Sequence, residues 1–380
     1  MMSQRSKREL VEAIHPRYLK ADRIGKEQIL DEFVAATGYH RKYAIRILKH
    51  GPKPKGRKKV GRRKTYQGEV VQVLEQIWEI CGRICSKRLQ PFLPEIVTVL
   101  ERCHELKLSA ETRKLLLEMS RATIDRCLKK ARFTQPQHGL STTKPGSLLK
   151  QAIPIRTFTP WEDEHPGFME IDLVAHCGSS VEGTYLNTLT STDLATGWTE
   201  CLALANKTQF AVSQAIAELR QDLPFALLGL DSDNGSEFIN ETLLRYCQAE
   251  QITFTRSRPY QKNDQAHVEQ KNWSVVRHTI GYDRLESPEE LALLRSIYTD
   301  LRLYINFFQP VLKLIGKERV DGKTIRTYDQ AKTPYRRVLA LDSLSIELKA
   351  RLTAQYVQLN PVTLRASIDA KVAKLWKIVR

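Results

Sequence analysis

The hydrophobic period of the chain changes once. Up to about residue 133, apolar side chains recur three and four apart, the spacing of one helix face. From about 167, two-residue alternation and short apolar runs appear between further helical stretches. Residues 26–50, KEQILDEFVAATGYHRKYAIRILKH, predict helix, turn, helix. Ile29, Leu30, Phe33 and Val34 form one stripe, and Gly38 supplies the turn. Tyr43, Ile47 and Leu48 point inward from the second helix, with His40, Arg41, Arg46 and Lys49 outward. Residues 67–133 are again helical. GEVVQVLEQIWEIC is amphipathic, and 109–132 repeats the helix–turn–helix theme. There a helix runs through Met119, and a second from about Ala122 turns Thr123, Arg126, Lys129 and Lys130 outward. A stretch rich in Gln, Pro, Gly, Ser and Thr (134–162) marks a boundary. Beyond it, strands are expected at 167–177, twice within 184–204 around a turn at DLATG, at 225–233 and at 252–260. Helices are expected at 208–223, 239–251, 264–281 and 287–308. The order β-β-β-α-β-α-β-α-α predicts an antiparallel meander extended into a mixed sheet with helices on both faces, an α/β architecture.

A chain of 380 residues accommodates two to four domains. Shifts in composition divide it into a first helix–turn–helix (1–51), a basic linker (52–66), a second helical module (67–133), a linker (134–159), the sheet-forming region (160–335) and a C-terminal helical segment (336–380). The formal net charge of +17 is unevenly placed. Residues 1–150 hold 33 Lys+Arg against 15 Asp+Glu, whereas the rest hold 27 against 28. A basic front half on a near-neutral back half predicts a polyanion-binding module joined to something else. Nucleic acid fits better than a membrane surface, because no stretch pairs a basic face with a strongly apolar one. The candidate DNA contacts are Arg41, Lys42 and Arg46 in the first module and Arg126 and Lys129 in the second. Lys58, Lys59, Arg62 and Arg63 join them from PKPKGRKKVGRRK (52–64), where eight of thirteen residues are basic. A plain helical hairpin with a solvated basic face has the same pattern, and so does a solvated tail or localisation signal. No apolar run approaches the length of a membrane helix, and MMSQRSKREL has no apolar signal core. Seven cysteines in such a chain read as free thiols of a reducing, cytoplasmic compartment.

LGLDSDNGSEFIN (228–240) sets Asp231 and Asp233 at the end of an apolar run, just before an Asn-Gly turn. A carboxylate at the end of a buried strand is costly to keep charged. A solvated turn and a bound metal are the two readings. Asp172, in MEIDLV, lies on another apolar strand with Glu170 on the same side two residues earlier. Glu170 reads either as a supporting group or as a solvated strand residue. Glu269 lies mid-helix in AHVEQKN, and 35 residues separate it from Asp233. Brought together, these acids would repel one another, and a divalent cation is the natural neutraliser. Oxygen-only ligands suit Mg²⁺ or Mn²⁺, and two such ions serve phosphoryl transfer. Asp193, in TSTDLATGW, reads as a turn former. Trp273 and Val276 share a helical face with Glu269 and are expected to pack beneath it.

EIDLV, DSDNGSEF and RPYQKNDQAHVEQKN resemble the catalytic blocks of the superfamily of retroviral integrases and bacterial insertion-sequence transposases, over roughly 160–335. The 35-residue gap matches the integrase-like branch. The resemblance implies a ribonuclease H-like core preceded by helix–turn–helix modules. It implies a DDE triad of Asp172, Asp233 and Glu269, catalytic and ligating two Mg²⁺ or Mn²⁺ ions, and it selects Asp233 over Asp231. Asn234, Gly235 and Asn263 become supporting positions, with His267 as a residue that orients the site or merely decorates the helix. Lys262 and Lys271, flanking Glu269, become contacts to DNA near the scissile phosphate. The implied activity is cleavage of one strand at the ends of a mobile element, then attack of the freed 3′-hydroxyl on target DNA, without a covalent enzyme intermediate. Holding two ends implies a homo-oligomer on DNA, at the bacterial nucleoid. A metal-dependent nuclease that does not join strands and a DNA-binding regulator with an idle core remain alternatives. The zinc domain of the retroviral members is not expected, since Cys81 and Cys85 have three residues between them and no close His pair upstream. Residues 307–339 read as basic and turn-rich. The last forty residues read as two helices separated by NPVT, packed on the core or between subunits.

Overall fold

The computed structural model describes residues 2–51, 65–132, 165–257, 265–320 and 323–379. It forms two compact units, Met1–Thr65 and Tyr66–Arg380.

The first unit holds three helices, α1 (Gln4–Lys20), α2 (Arg23–Thr37) and α3 (Arg41–His50). The Asp22 carboxylate accepts the Gly25 N–H and starts α2. Gly38, in the left-handed region at φ +65°, ends it. Val11, Leu30, Phe33, Ala44 and Leu48 form the buried centre. Ala44, not Tyr43, takes the inward position beside Leu48, four residues apart on α3. Tyr43 is 38% exposed, edge-on to Tyr39, with the Arg46 guanidinium 5.0 Å from its ring centre.

The second unit begins with α4 (Glu69–Ile80), α5 (Ser86–Arg102), α6 (Ala110–Leu117) and α7 (Arg121–Cys127). Ser109 and Ser120 cap α6 and α7, and Thr123 is buried rather than outward. Then follow β1 (Phe168–Ala175), β2 (Asn187–Asp193), β3 (Thr199–Leu204), α8 (Gln209–Asp222), β4 (Gly229–Ser232), α9 (Glu241–Ala249) and β5 (Thr253–Arg256). The chain continues through α10 (Ala266–Lys271), a π-helical turn (Asn272–Arg277), α11 (His278–Ile280) and α12 (Pro288–Phe308). It ends with a hairpin of β6 (Leu314–Val320) and β7 (Lys323–Tyr328), then α13 (Pro334–Leu339), α14 (Ile346–Gln358) and α15 (Pro361–Val379). The hairpin and α13 lie in the segment whose composition reads only as basic and turn-rich.

The main sheet is mixed α/β in character, with strand order β3-β2-β1-β4-β5. β1, β2 and β3 form the antiparallel meander, and β1, β4 and β5 run parallel. Asp193 is the expected turn former. Its carboxylate accepts the Thr196 N–H and hydroxyl and also the Gly167 N–H, clasping the β2–β3 turn to the start of β1. Apolar side chains of α4–α7, such as Ile77, Trp78 and Leu93, share one continuous core with the sheet, α12 and the C-terminal helices, among them Trp198, Phe307, Phe308, Tyr356 and Leu375. The C-terminal helices thus pack on the core: Lys371 on α15 pairs with Asp300 on α12 at 2.6 Å.

Candidate active site where β4 ends beside β1

The parallel rungs between β1 and β4 pair Glu170 with Asp231 and Ile171 with Ser232. The next position on each chain is Asp172 and Asp233. Paired residues of parallel strands point to one face, and neighbouring strands lie about 4.8 Å apart. The sheet therefore sets two carboxylates side by side where β4 stops. Both are half-buried. Asp172 is pushed up to about 7, first by burial and then by the charge of Asp233, with a smaller push from Glu269. The Leu173 N–H at 2.8 Å and the Asn272 side-chain amide at 2.7 Å donate to it and oppose the rise. Asp233 is also raised, by burial first and then by Glu237, whose carboxyl group is itself buried. The Gly235 N–H at 2.9 Å and the positive charge of Lys207 act the other way.

Glu269 comes to these strands on α10, and Glu170 holds that helix in place. One oxygen of its carboxylate, 1% exposed as a residue, accepts the N–H groups of His267 and Val268 at 3.0 and 3.1 Å. That satisfies two of the orphan donors of the helix start. Of the two readings of Glu170, the solvated strand residue is thus excluded. Asp231 is a buried partner of the Thr255 hydroxyl at 2.6 Å on β5. Asn234 ties the loop after β4 to the end of β5, donating to the Ser257 carbonyl and accepting from Arg256. Gly235 is needed for space: a Cβ there would lie 2.9 Å from the Asp233 carboxylate and 2.8 Å from that of Glu237.

The helix after Glu269 departs from its expected packing. Val276 is fully buried, but Trp273 is 63% exposed and leans on His278. The π-helical turn, with its i→i+5 bonds, rotates less per residue than an α-helix, so the face predicted at ordinary helical spacing is split. Lys271 does not sit beside Glu269. It lies half-buried on the other flank of the helix, its ammonium pushed down to about 7 by burial and by Arg88. His267 is exposed on that same flank. Lys262 and Asn263 lie outside the described residues, as do Lys58, Lys59, Arg62 and Arg63. In the first unit Lys42 and Arg46 are exposed, while Arg41 is engaged by Asp31 and Glu27 of α2. Lys129 is exposed, and Arg126 turns back onto the Ala122 carbonyl and the Thr123 hydroxyl. Cys81 is buried, its thiol pushed up to about 12 by burial, and Cys85 precedes α5; all seven cysteines are free thiols.

Sequence reasoning missed Asn272, Glu237 and Lys207. The first two stand inside the quoted blocks, three residues after Glu269 and four after Asp233. Lys207 has no local signal. By chemistry the donors suit a hard divalent cation, because the candidate ligands are all carboxylates. Among the described residues, no three His, Cys, Asp or Glu side chains are drawn tightly enough together to form a ligand cluster. Nor is any described helix long and apolar enough to cross a membrane.

No family model matches the chain. A protein of Sinorhizobium fredii (strain NBRC 101917 / NGR234), described as "Uncharacterized protein y4rM", is 42% identical over 338 residues, covering 88% of this chain and 96% of that protein. The chain belongs to the same family as that protein.

Proposed function

We propose that the protein is a DDE-type DNA transposase or integrase, which cleaves a DNA strand at the ends of a mobile element and joins it to a target. The observation that carries this reading is Asp172, within β1, beside Asp233, just past the end of the parallel strand β4, with the charge of Glu269 reaching Asp172 from a helix held by Glu170 and Asn272. A carboxyl group raised by burial and by a neighbouring carboxylate is a candidate functional group. The strand order and the mixed parallel and antiparallel pairing support a ribonuclease H-like core.

Asp172, Asp233 and Glu269 would hold two Mg²⁺ or Mn²⁺ ions. Such ions, when bound, supply charge neutralisation at the phosphate and an acidified hydroxyl nucleophile. Asn272 holds the Asp172 carboxylate in one orientation through its donated hydrogen bond. Asn234 and Gly235 fix the loop that presents Asp233. Lys207, the cation felt by Asp233, would offer a counter-charge to a DNA phosphate bound there. Lys42 and Arg46 on α3 offer exposed cations to the DNA backbone, and a homo-oligomer would hold two ends together.

The test is a strand-transfer assay with linear DNA carrying the element's own ends, a supercoiled target, and Mg²⁺ or Mn²⁺. Joined products that vanish with Asp233→Asn are expected. Metal-dependent cleavage without joining would replace the proposal with a nuclease. End binding with neither product would replace it with a DNA-binding regulator.

A further inference from the structure

The helix that carries Glu269 has a second, chemically opposite flank. His267, Gln270, Lys271 and Ser274, spaced three and four apart, face a cavity of about 380 Å³. Arg88 of α5, Lys313 and Arg337 of α13 line its other sides, and no carboxylate among the described residues does. Among the described residues the Arg88 guanidinium donates to the Pro310 carbonyl and the Gln309 side chain, neither of which carries charge. Arg337 pairs with Asp329 at 2.7 Å and donates to the Val311 carbonyl, yet its Nε is buried without an acceptor. The Lys271 ammonium makes no hydrogen bond or ion pair among the described residues, and the like charge of Arg88 acts on it.

Arg337 has Asp329 and Lys313 lies within the field of Asp193, but Arg88 and Lys271 meet in a partly desolvated space with no acid paired to either among the described residues, which is unfavourable on its own. An oxyanion with several acceptor oxygens removes that cost and satisfies the open donors at once. We infer that this cavity is an oxyanion site that takes a phosphate group. It is separate from the carboxylates across the helix and independent of the function proposed for them. A phosphate offers oxygens on all sides, as the placement of cations on three different elements requires. The phosphate comes either from a nucleic-acid strand or from a free phosphate compound.

The experiment uses the full chain in metal-free buffer. Inorganic pyrophosphate is titrated while the thermal midpoint and the heat of binding are followed. Saturable stabilisation is expected. Lys271→Gln should bind pyrophosphate about ten-fold more weakly or worse, the loss of one charged contact. Because Lys271 loses no partner, that variant should melt no lower than the parent without pyrophosphate, which separates loss of binding from loss of fold. Lys374→Gln, which removes an exposed cation of α15 away from the cavity, should bind as the parent does. A labelled single-stranded oligonucleotide that pyrophosphate displaces in the parent, but not in Lys271→Gln, assigns the phosphate to a strand. Pyrophosphate binding with no displacement assigns it to a free compound. No stabilisation at millimolar pyrophosphate, or equal affinity in Lys271→Gln and the parent, would overturn the inference.

Discussion

Helix α3 carries Arg41, Lys42, Arg46 and Lys49 in contact with water, whereas β1 and the loop just past β4 carry Asp172 and Asp233 half out of it. The exposed cations cost the fold little. One is paired with acids of α2, one stacks on Tyr43, and any further role must come from a partner. The strand-end acids are different. Burial and mutual repulsion raise Asp172, and the fold sets Glu170, Asn272 and the Asp233 loop around them. Charge on a surface shows what a protein can touch. Charge held at a cost marks where chemistry can be done.

The largest effect should follow from removing an acid. Asp172→Asn or Asp233→Asn is expected to lower metal-dependent strand cleavage and joining by about 10³-fold or more, while the metal-free thermal midpoint stays at or above that of the parent. A large drop in midpoint would mean that these acids are structural, and the contrast with α3 would fail. Glu170→Ala should come next. It strips two helix-start N–H groups of a buried acceptor, at about 1–3 kcal/mol in urea denaturation, and loosens the helix bearing Glu269. Glu170→Gln, which keeps an acceptor, should recover part of both stability and activity.

Asp172, raised to about 7, sharpens the comparison through pH. Between the ordinary carboxylate value near 4 and about pH 7, the folded chain binds more protons at this position than the unfolded chain does. Its contribution is therefore favourable at low pH and is lost as pH rises through about 7. Metal-free stability should fall across that window by on the order of 1 kcal/mol or more, and Asp172→Asn should flatten the fall. Glu200, raised to about 7 by burial, adds a slope that remains in the variant. The smallest effects belong to α3. Arg46→Ala should weaken DNA binding several-fold and reduce its salt dependence by about one unit. Arg41→Ala should mainly undo its contacts with Asp31 and Glu27, at less than about 1 kcal/mol. Equal losses of affinity from the two would show that Arg41 leaves those acids to reach DNA.

The alternation in MEIDLV and the apolar run before DSDNG made β1, β4 and the neighbouring acids readable, because a period of two and a strand end are local signals. Glu170 was ambiguous: the same strand pattern serves a solvated acid and one that receives a helix start, and only the approach of α10 decides. Val276 packs beneath the helix as ordinary helical spacing predicts, whereas Trp273 turns outward because a π-helical turn intervenes. Helical spacing alone does not separate Tyr43 from its neighbour Ala44, and it is the small Ala44 that fits the close approach of α3 to the rest of its unit. Lys271 was placed beside Glu269 by its distance along the chain, although two residues along a helix turn a side chain to a different flank. Lys207 lies between β3 and α8, and its nearness to Asp233 is a property of the sheet.

The central claim is that Asp172, Asp233 and Glu269 together hold divalent cations. Mn²⁺ titration of the full chain, followed by paramagnetic resonance of the free ion at pH 8 and pH 6, tests it most directly. Saturable uptake is predicted, weaker at pH 6 because the acids must shed their protons to bind, and lost in both Asp172→Asn and Asp233→Asn. Uptake that is the same in those variants as in the parent, or no uptake at either pH, would contradict it.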